Sequence, residues 1–124
     1  VQQLKAEPQA RPIPCILFTK NSGQWLEKIA ATGCEAVGLD WMTDLNLARQ
    51  RIGHQVALQG NLDLGLLYTS PERIRAAVAE SLAEFGPHPG HIFNLGHGVP
   101  QNVPVENVAA LVQAVHELSL AYHA

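Results

Sequence analysis

Short apolar runs alternate along the chain with longer segments in which the apolar residues have helical spacing. The apolar runs cover residues 14–19, 35–40, 55–60 and 91–95. After each run, apolar residues recur three or four positions apart, which places them on one face of a helix. The pattern therefore predicts four units, each a strand followed by a helix.

The ends of the predicted helices are marked by residues that start or stop a helix. Ser70-Pro71 has the form of a helix start, since proline at the first helical position loses no needed donor. Gly33, Gly53 and Gly86 are predicted to end helices by taking the left-handed conformation. The predicted apolar faces are Trp25, Leu26, Ile29 and Ala30; then Leu45, Ala48 and Ile52; then Ile74, Val78, Leu82 and Phe85; and last Val108, Leu111, Val112, Val115, Leu118 and Tyr122.

The repeated unit predicts an α/β fold with a parallel sheet. Continuous apolar strands suit a sheet covered on both faces, and short connections between strand and helix imply right-handed crossovers. One candidate is a small open sheet. The other is half of a (β/α)8 TIM barrel, whose typical length of about 250 residues is roughly twice this chain. A half-barrel would leave two sheet edges unpaired, and in both folds function belongs at the carboxyl ends of the strands.

Polar side chains follow every predicted strand. Because the carboxyl ends of parallel strands meet at one edge of a sheet, these residues predict a composite site there, although polar edges also serve solubility. The set is Thr19, Lys20 and Asn21 after the first strand, Asp40 and Trp41 after the second, Gln59, Asn61 and Asp63 after the third, and Asn94, Gly96, His97 and Gly98 after the fourth.

His97 is the strongest candidate for chemistry in this set. Histidine titrates near neutral pH and suits proton transfer or anion binding. The flanking Gly96 and Gly98 would let a ligand approach the backbone and would allow positive φ. The alternative is a histidine that caps backbone carbonyls of its own turn.

The other candidates each have a functional and a structural interpretation. Lys20 either binds a carboxylated ligand or is a solvated surface lysine. Asp40 either orients Lys20 or caps the next helix. Asn61 and Asp63 belong to the site or form a turn, and Trp41 is interpreted as a packing residue.

Composition narrows the class of protein. The chain has 124 residues, 47% hydrophobic and 15% charged, with a net charge of -3. Its eight lysines and arginines form no cluster, which argues against nucleic acid as a partner. No apolar run approaches the ~20 residues of a membrane span, and the polar N-terminus lacks a signal-peptide core. Cys15 and Cys34 are predicted to be buried free thiols, which fits a reducing cytoplasm.

The six histidines do not predict a metal site. His88, His91 and His97 lie before, at the start of and beyond one strand, so they are too far apart to share an ion. No zinc-binding spacing occurs, nor does a P-loop, a dinucleotide-binding glycine motif or a serine nucleophile elbow.

Four runs of the sequence resemble a known family. They are LFTKNSGQWLEKIAATGCEAVGLDW, VALQGNLD, LLYTSPERI and GHIFNLGHGV. In this order and spacing they resemble the C-terminal part of uroporphyrinogen decarboxylases, from about Pro12 to His123.

The resemblance implies the barrel rather than the open sheet. Residues 12–124 would supply four βα units, the C-terminal half of a TIM barrel, and residues 1–11 the tail of a preceding helix and a linker. It further implies a lyase that removes the four acetate carboxyl groups of uroporphyrinogen III, giving coproporphyrinogen III in porphyrin and haem biosynthesis. Such enzymes are usually cytoplasmic homodimers and need neither a metal nor an organic cofactor.

The same resemblance assigns a role to His97. It matches the histidine of the family motif N-L-G-H-G, which lines the substrate cleft and would bind a carboxylate or move protons. Lys20 and Asn94 are further candidate substrate-binding residues. The family's R-Q-A-G-R segment with its anion-binding arginines does not occur here, nor do the aspartate, tyrosine and serine of the same cleft. These partners of His97 would belong to the missing N-terminal half of the barrel, so the isolated chain is expected to be inactive.

Two alternatives stay open. The chain could be a non-catalytic half-barrel that acts as an assembly or binding fragment. It could also belong to the related cobalamin-linked methyltransferases, which activate a thiol with zinc. That chemistry needs cysteine and histidine ligands at strand ends, whereas Cys34 precedes a predicted strand and Cys15 lies within one.

Overall fold

The computed structural model describes residues 1–123, which form four strands and six helices. None of these helices is long and apolar enough to cross a membrane. Residue 124, the last of the predicted domain, lies outside the described range. The strands are β1 (Ile16–Phe18), β2 (Ala36–Gly38), β3 (Ala57–Leu62) and β4 (His91–Leu95). The helices are α1 (Gln2–Ala6), α2 (Leu26–Ala30), α3 (Leu45–Ile52), α4 (Pro71–Phe85), α5 (Val105–Leu118) and α6 (Leu120–His123). Two 3-10 turns lie at Gly23–Trp25 and Leu64–Tyr68.

The strands form one parallel sheet in the order β1-β2-β3-β4. Val37 at the centre pairs in register with Leu17 on one side and Leu58 on the other. Consecutive strands are neighbours and helices follow them, so the prediction of parallel βα units is confirmed. This is the arrangement of successive units in a (β/α)8 barrel.

The hydrophobic core lies between the sheet and its helices in two clusters. The first joins α2 and α3 to β2 and β3, with Leu26, Ile52 and Leu58 fully buried. The second joins α4 and α5 to the ends of β3 and β4. The predicted faces of α3 and α4 are buried at every position, whereas Trp25 is 47% exposed and does not belong to the buried face.

The two edge strands of the sheet, β1 and β4, are covered on one face only. Ile16 and Phe18 of β1 are 47% and 45% exposed, and Ile92 of β4 is also exposed. These residues alternate with those that face the helices, as side chains along a strand must. The prediction of a sheet covered on both faces is therefore wrong for β1 and β4, whose second face is left in contact with solvent. Only β2 is buried at each of its positions among the described strands.

Two differences from prediction concern the ends of β3 and α3. β3 continues to Leu62, two residues beyond the predicted end, so Asn61 lies within the strand. Gly86 ends α4 with a φ of 76°, but Gly53 ends α3 with a φ of -64°, so the expected left-handed conformation is wrong for Gly53. There the helix ends with the Gly53 N–H donating to the Arg49 carbonyl, a bond that needs no left-handed residue.

The N-terminal segment is attached at the amino ends of β1 and β2. The Lys5 ammonium lies 2.8 Å from Glu35 Oε1, and the Cys15 N–H donates to Glu35 Oε2 at 2.6 Å. These bonds, that of Lys5 first, lower the pKa of the Glu35 carboxyl. The contacts lie at the edge of the sheet opposite to the predicted site.

Candidate functional site

A cleft of about 290 Å³ opens at the carboxyl ends of the strands. Every strand of the sheet, or the loop after it, contributes to its walls, which agrees with the composite site predicted at this edge. The structure brings Gln59, Asn94 and His97 together there. The full lining is Phe18, Gly38, Leu39, Gln59, Asn94, Leu95, His97, Gly98 and Val99.

The His97 imidazole lies between two aromatic rings and is otherwise exposed. The Phe18 ring centroid is 6.5 Å away and the Trp41 centroid 5.9 Å away, both edge to face. Such contacts orient a ring without using its polar atoms. Within residues 1–123 the imidazole makes no hydrogen bond, so both ring nitrogens are available to a ligand.

Lys20 reaches the same indole as His97. Its ammonium lies 5.4 Å from the centroid of the Trp41 ring, within the range of a cation–π contact. Trp41 is therefore more than the packing residue that the sequence predicted, since it contacts two candidate ligand-binding groups. Lys20 itself does not line the cleft.

Among the described residues, the Asp40 carboxylate forms no ion pair with Lys20 and caps no helix, so the predicted direct contact with Lys20 and the predicted capping role are both wrong. Asp40 is 1% exposed, and its carboxylate accepts hydrogen bonds from the N–H groups of Asn21 and Met42 and from the hydroxyl of Thr43. The bond from Asn21 joins the loop after β1 to the loop after β2, and the other two bonds lie within the loop after β2. The cap of α3 is Asp44, whose carboxylate accepts from the N–H at position 47 at 2.7 Å.

Asn61 and Asp63 have different roles although both follow the predicted end of β3. The Asn61 side-chain amide donates to the carbonyls of Asp40, at 2.6 Å, and of Thr43. The Asp63 carboxylate accepts the Gly65 N–H at 2.8 Å and starts a 3-10 turn. The turn-forming interpretation is therefore confirmed for Asp63 and wrong for Asn61.

The two glycines beside His97 also differ. A Cβ on Gly96 would lie 2.3 Å from the Trp41 nitrogen, whereas a Cβ on Gly98 would meet no atom within 4 Å. Neither residue has positive φ, so that expectation is wrong. Gly96 is required because the backbone of the loop after β2 occupies the space of a side chain.

Asn94 and Phe18 complete the walls of the cleft from opposite edges of the sheet. Asn94 lies on the open face of β4, and its Oδ1 accepts the N–H of Leu95 at 2.9 Å. Phe18, which the sequence analysis did not select, is the last residue of β1 on the same face. Successive side chains of a strand point to opposite faces, so the position of Phe18 next to the helix-facing Leu17 could have indicated that Phe18 lies on the open face.

Groups that could bind a metal are not assembled at this edge. Among the described residues, no group of three or more histidine, cysteine, aspartate or glutamate side chains could hold an ion. Cys15 and Cys34 precede β1 and β2, so they lie at the amino ends of the strands, opposite to the cleft.

Comparisons with a family model and with individual relatives indicate the same family. A model of the uroporphyrinogen decarboxylase family matches residues 1–118. The chain is 56% identical over 123 residues to a uroporphyrinogen decarboxylase of Alkalilimnicola ehrlichii and 58% identical over 123 residues to that of Cronobacter sakazakii. These matches cover 99% of this chain but 34% and 35% of the relatives, so the chain spans about a third of their length.

A solved structure matches the fold as well. A methyltransferase from Methanosarcina mazei superimposes with a TM-score of 0.75 at 25% sequence identity. The match covers 94% of this chain and 34% of that protein. The four βα units are therefore part of a larger barrel-type fold in that neighbour, and the chain matches a partial barrel.

Proposed function

The chain belongs to the uroporphyrinogen decarboxylase family, and on that premise we propose that it is the C-terminal segment of an enzyme that converts uroporphyrinogen III to coproporphyrinogen III. The family match and the two relatives above 55% identity support this proposal. Because the chain spans about a third of those relatives, the activity is proposed for the whole protein. The reaction would remove four acetate carboxyl groups in porphyrin and haem biosynthesis.

The observation that carries the proposal is the free imidazole of His97 in the cleft at the strand ends. In each decarboxylation the bond between the acetate methylene and its carboxylate breaks, and carbon dioxide leaves. The pyrrole ring, protonated beforehand, takes up the electron pair and later releases its added proton, while another proton completes the new methyl group. His97, with both ring nitrogens available, is suited to hold the carboxylate before the bond breaks or to move that proton.

Lys20 and Asn94 are the proposed binding partners of His97. The substrate carries eight carboxylates, so a site for it needs cationic and hydrogen-bond-donating groups beyond one histidine. The Lys20 ammonium and the His97 imidazole share one indole, and Asn94 lines the cleft from β4. Both side chains could therefore receive substrate carboxylates around the same opening.

The exposed face of the sheet supports a larger barrel. We assign residues 12–124 to the C-terminal half of that barrel and residues 1–11 to the tail of a preceding helix and linker. The remaining strands would pair with the edges of β1 and β4 and cover Ile16, Phe18 and Ile92. A cytoplasmic homodimer is the proposed form of the intact enzyme.

A chimera tests the proposed function directly. The matching third of the Cronobacter sakazakii decarboxylase is replaced by this chain, and conversion of uroporphyrinogen to coproporphyrinogen is measured. We expect turnover, because this chain supplies the same four units with 58% identity. The same relative without its matching third is the control. A chimera that folds and has no activity above this control would contradict the proposal.

A methyltransferase is the second candidate, and the structural match to the Methanosarcina mazei protein favours it. Against it, Cys15 and Cys34 lie at the wrong ends of their strands for a zinc site in the cleft. Stoichiometric zinc in the purified protein, lost on substitution of a cleft residue, would support this candidate. A non-catalytic half-barrel remains the third, and the inactive chimera is the result that would favour it.

A further inference from the structure

The segment Asp40–Trp41 contacts both the loop after β1 and the loop after β4. The Asp40 carboxylate, almost fully buried, holds the Asn21 N–H of the loop that carries Lys20. The backbone of Trp41 lies against Gly96, in the loop that carries His97. The position of this one segment therefore sets the relative positions of the two loops with candidate ligand-binding groups.

Asn61 fixes this segment from the neighbouring strand. Its amide donates both of its protons to backbone carbonyls, one at Asp40 and one at Thr43. These carbonyls stand on the two sides of Trp41 along the chain. The side chain of a β3 residue thus holds the loop after β2 at two points, one on each side of Trp41. A single hydrogen bond would hold the loop at one point only.

The consequence appears in the ring contacts of Trp41. The Lys20 ammonium lies 5.4 Å from the indole centroid, and the His97 imidazole meets the same indole edge to face at 5.9 Å. If the indole moves, both contacts change together. The ammonium and the imidazole are therefore both positioned against the same indole ring.

We propose that Asn61 is a positioning residue of the cleft, which places the Trp41 indole and through it the Lys20 ammonium and the His97 imidazole. The part of this proposal that concerns a substrate carboxylate rests on the proposed function. The placement of the indole rests on the hydrogen bonds alone. Among the described residues, the side-chain hydrogen bonds of Asn61 go to the carbonyls of Asp40 and Thr43 and not to Lys20 or His97, so its effect on these two groups passes through the segment that contains Trp41.

Asn107 provides a matched control for Asn61. Its amide also donates to two backbone carbonyls, those of Leu67 at 2.8 Å and Thr69 at 2.9 Å. It is buried and holds the 3-10 turn to the start of α5. Neither Asn107 nor its carbonyl partners line the cleft. Replacement of either asparagine removes the same number of bonds, so only Asn61 is expected to alter the cleft.

The test is NMR on the 124-residue chain with 13C-labelled histidine and tryptophan rings. In the wild-type chain we expect a nuclear Overhauser effect between the Trp41 indole and the His97 imidazole. Asn61→Leu, close to asparagine in size but without donors, should abolish this effect and move the ring signals of His97. Asn107→Leu should leave both unchanged.

Three results would overturn the positioning role. They are a wild-type chain without the effect between the two rings, an Asn61→Leu chain that keeps it, or an Asn107→Leu chain that loses it equally. If Asn61→Leu fails to fold, the proposal is tested on the wild-type chain instead, by measuring how fast the Asn61 side-chain amide protons exchange with solvent. Slow exchange supports the two bonds to Asp40 and Thr43, and exchange as fast as in an exposed amide contradicts them.

Kinetics of the chimera separate this inference from the proposed function. In an active chimera, Asn61→Leu should lower kcat/KM by about tenfold to a hundredfold, the effect of misplacing a reacting group by about 1 Å. Asn107→Leu should change it by less than about threefold. If the chimera is inactive but the NMR result is as expected, the proposed function is overturned and the positioning role of Asn61 stands. If the chimera is active and Asn61→Leu leaves its kcat/KM unchanged, the link from Asn61 to the reaction is overturned.

Discussion

The backbones of Gly96 and Trp41 are so close that a Cβ on residue 96 would lie 2.3 Å from the Trp41 nitrogen. This contact joins the loop after β4 to the loop after β2. It also holds His97, the next residue, where its ring meets the Trp41 indole. The glycine is thus needed for the shape of the cleft, and not for an unusual backbone conformation of its own.

Gly96→Ala is expected to destabilise the chain by about 1–3 kcal/mol, because the added methyl group can only be accommodated by moving backbone. Gly98→Ala adds the same group where no atom lies within 4 Å, and it should change the free energy of unfolding by no more than about 0.5 kcal/mol. Urea unfolding of both variants makes the comparison. Equal effects would mean that the two loops are not in contact.

The isolated chain is expected to show no decarboxylase activity. The cleft has a wall only on the side of these four strands, and Phe18 on the open face is 45% exposed. Lys20 and His97 alone cannot hold an acid with eight carboxylates in one orientation. Incubation of the purified chain with uroporphyrinogen tests this, with an intact relative as the positive control. Coproporphyrinogen formation by the chain alone would be the contrary result.

The Glu27–Arg51 ion pair should make stability depend on acid pH. Arg51 donates from Nε and from an Nη to the two carboxylate oxygens of Glu27, each at 2.6 Å, and these bonds lower the pKa of Glu27 to about 2. A carboxyl with a lowered folded pKa stabilises the fold above its ordinary pKa of 4.5, and this contribution is lost as pH falls from about 4.5 to about 2.

Glu27→Gln should therefore reduce the change in urea midpoint over this pH range while the fold stays intact. Because Glu27 is exposed, the effect is expected to be small and to shrink further in high salt. In an Arg51→Met background the same substitution should have no such effect. A pH dependence that Glu27→Gln leaves unaltered would assign the acid sensitivity to other groups.

The two helix caps should differ in their contribution to stability. The Asp44 carboxylate accepts from the Leu47 N–H at 2.7 Å, whereas the Ser70 hydroxyl is 3.4 Å from the Arg73 nitrogen. Asp44→Ala should cost about 0.5–2 kcal/mol, and Ser70→Ala should lie at or below the low end of that range. The free energies of unfolding of the two variants test whether Asp44 contributes more to stability than Ser70. A larger loss of stability for Ser70→Ala would contradict this prediction.

Local patterns in the sequence were sufficient for most of the fold. The apolar run at residues 91–95 is β4, and Ser70-Pro71 begins α4 as predicted. Both depend on signals within a few residues of the element itself. The extra length of β3 was missed because Asn61 and Leu62 follow a glycine, and their strand geometry comes from pairing with β4.

The contacts of the candidate site were less predictable from sequence. His97 was selected from its place after a strand, but the ring contact with Trp41 joins residues far apart in the chain. The same holds for the bonds from Asn61 to the loop after β2, which span 21 and 18 residues. Such contacts follow from the register of neighbouring strands, and no local pattern records them. The open face of β1 and β4 was not predicted because an apolar strand has the same sequence pattern whether its second face is covered by the same chain or is left open.

The most direct test of the account is the rate of coproporphyrinogen formation by the chimera with His97→Ala. His54, an exposed residue in the connection before β3, gives the control His54→Ala. We predict that His97→Ala lowers kcat/KM by about a hundredfold or more while the thermal midpoint is unchanged, since proton transfer by a positioned group contributes at least this much. His54→Ala should match the unmodified chimera. A His97→Ala chimera with unaltered kcat and KM would contradict the central claim that this imidazole acts on the substrate.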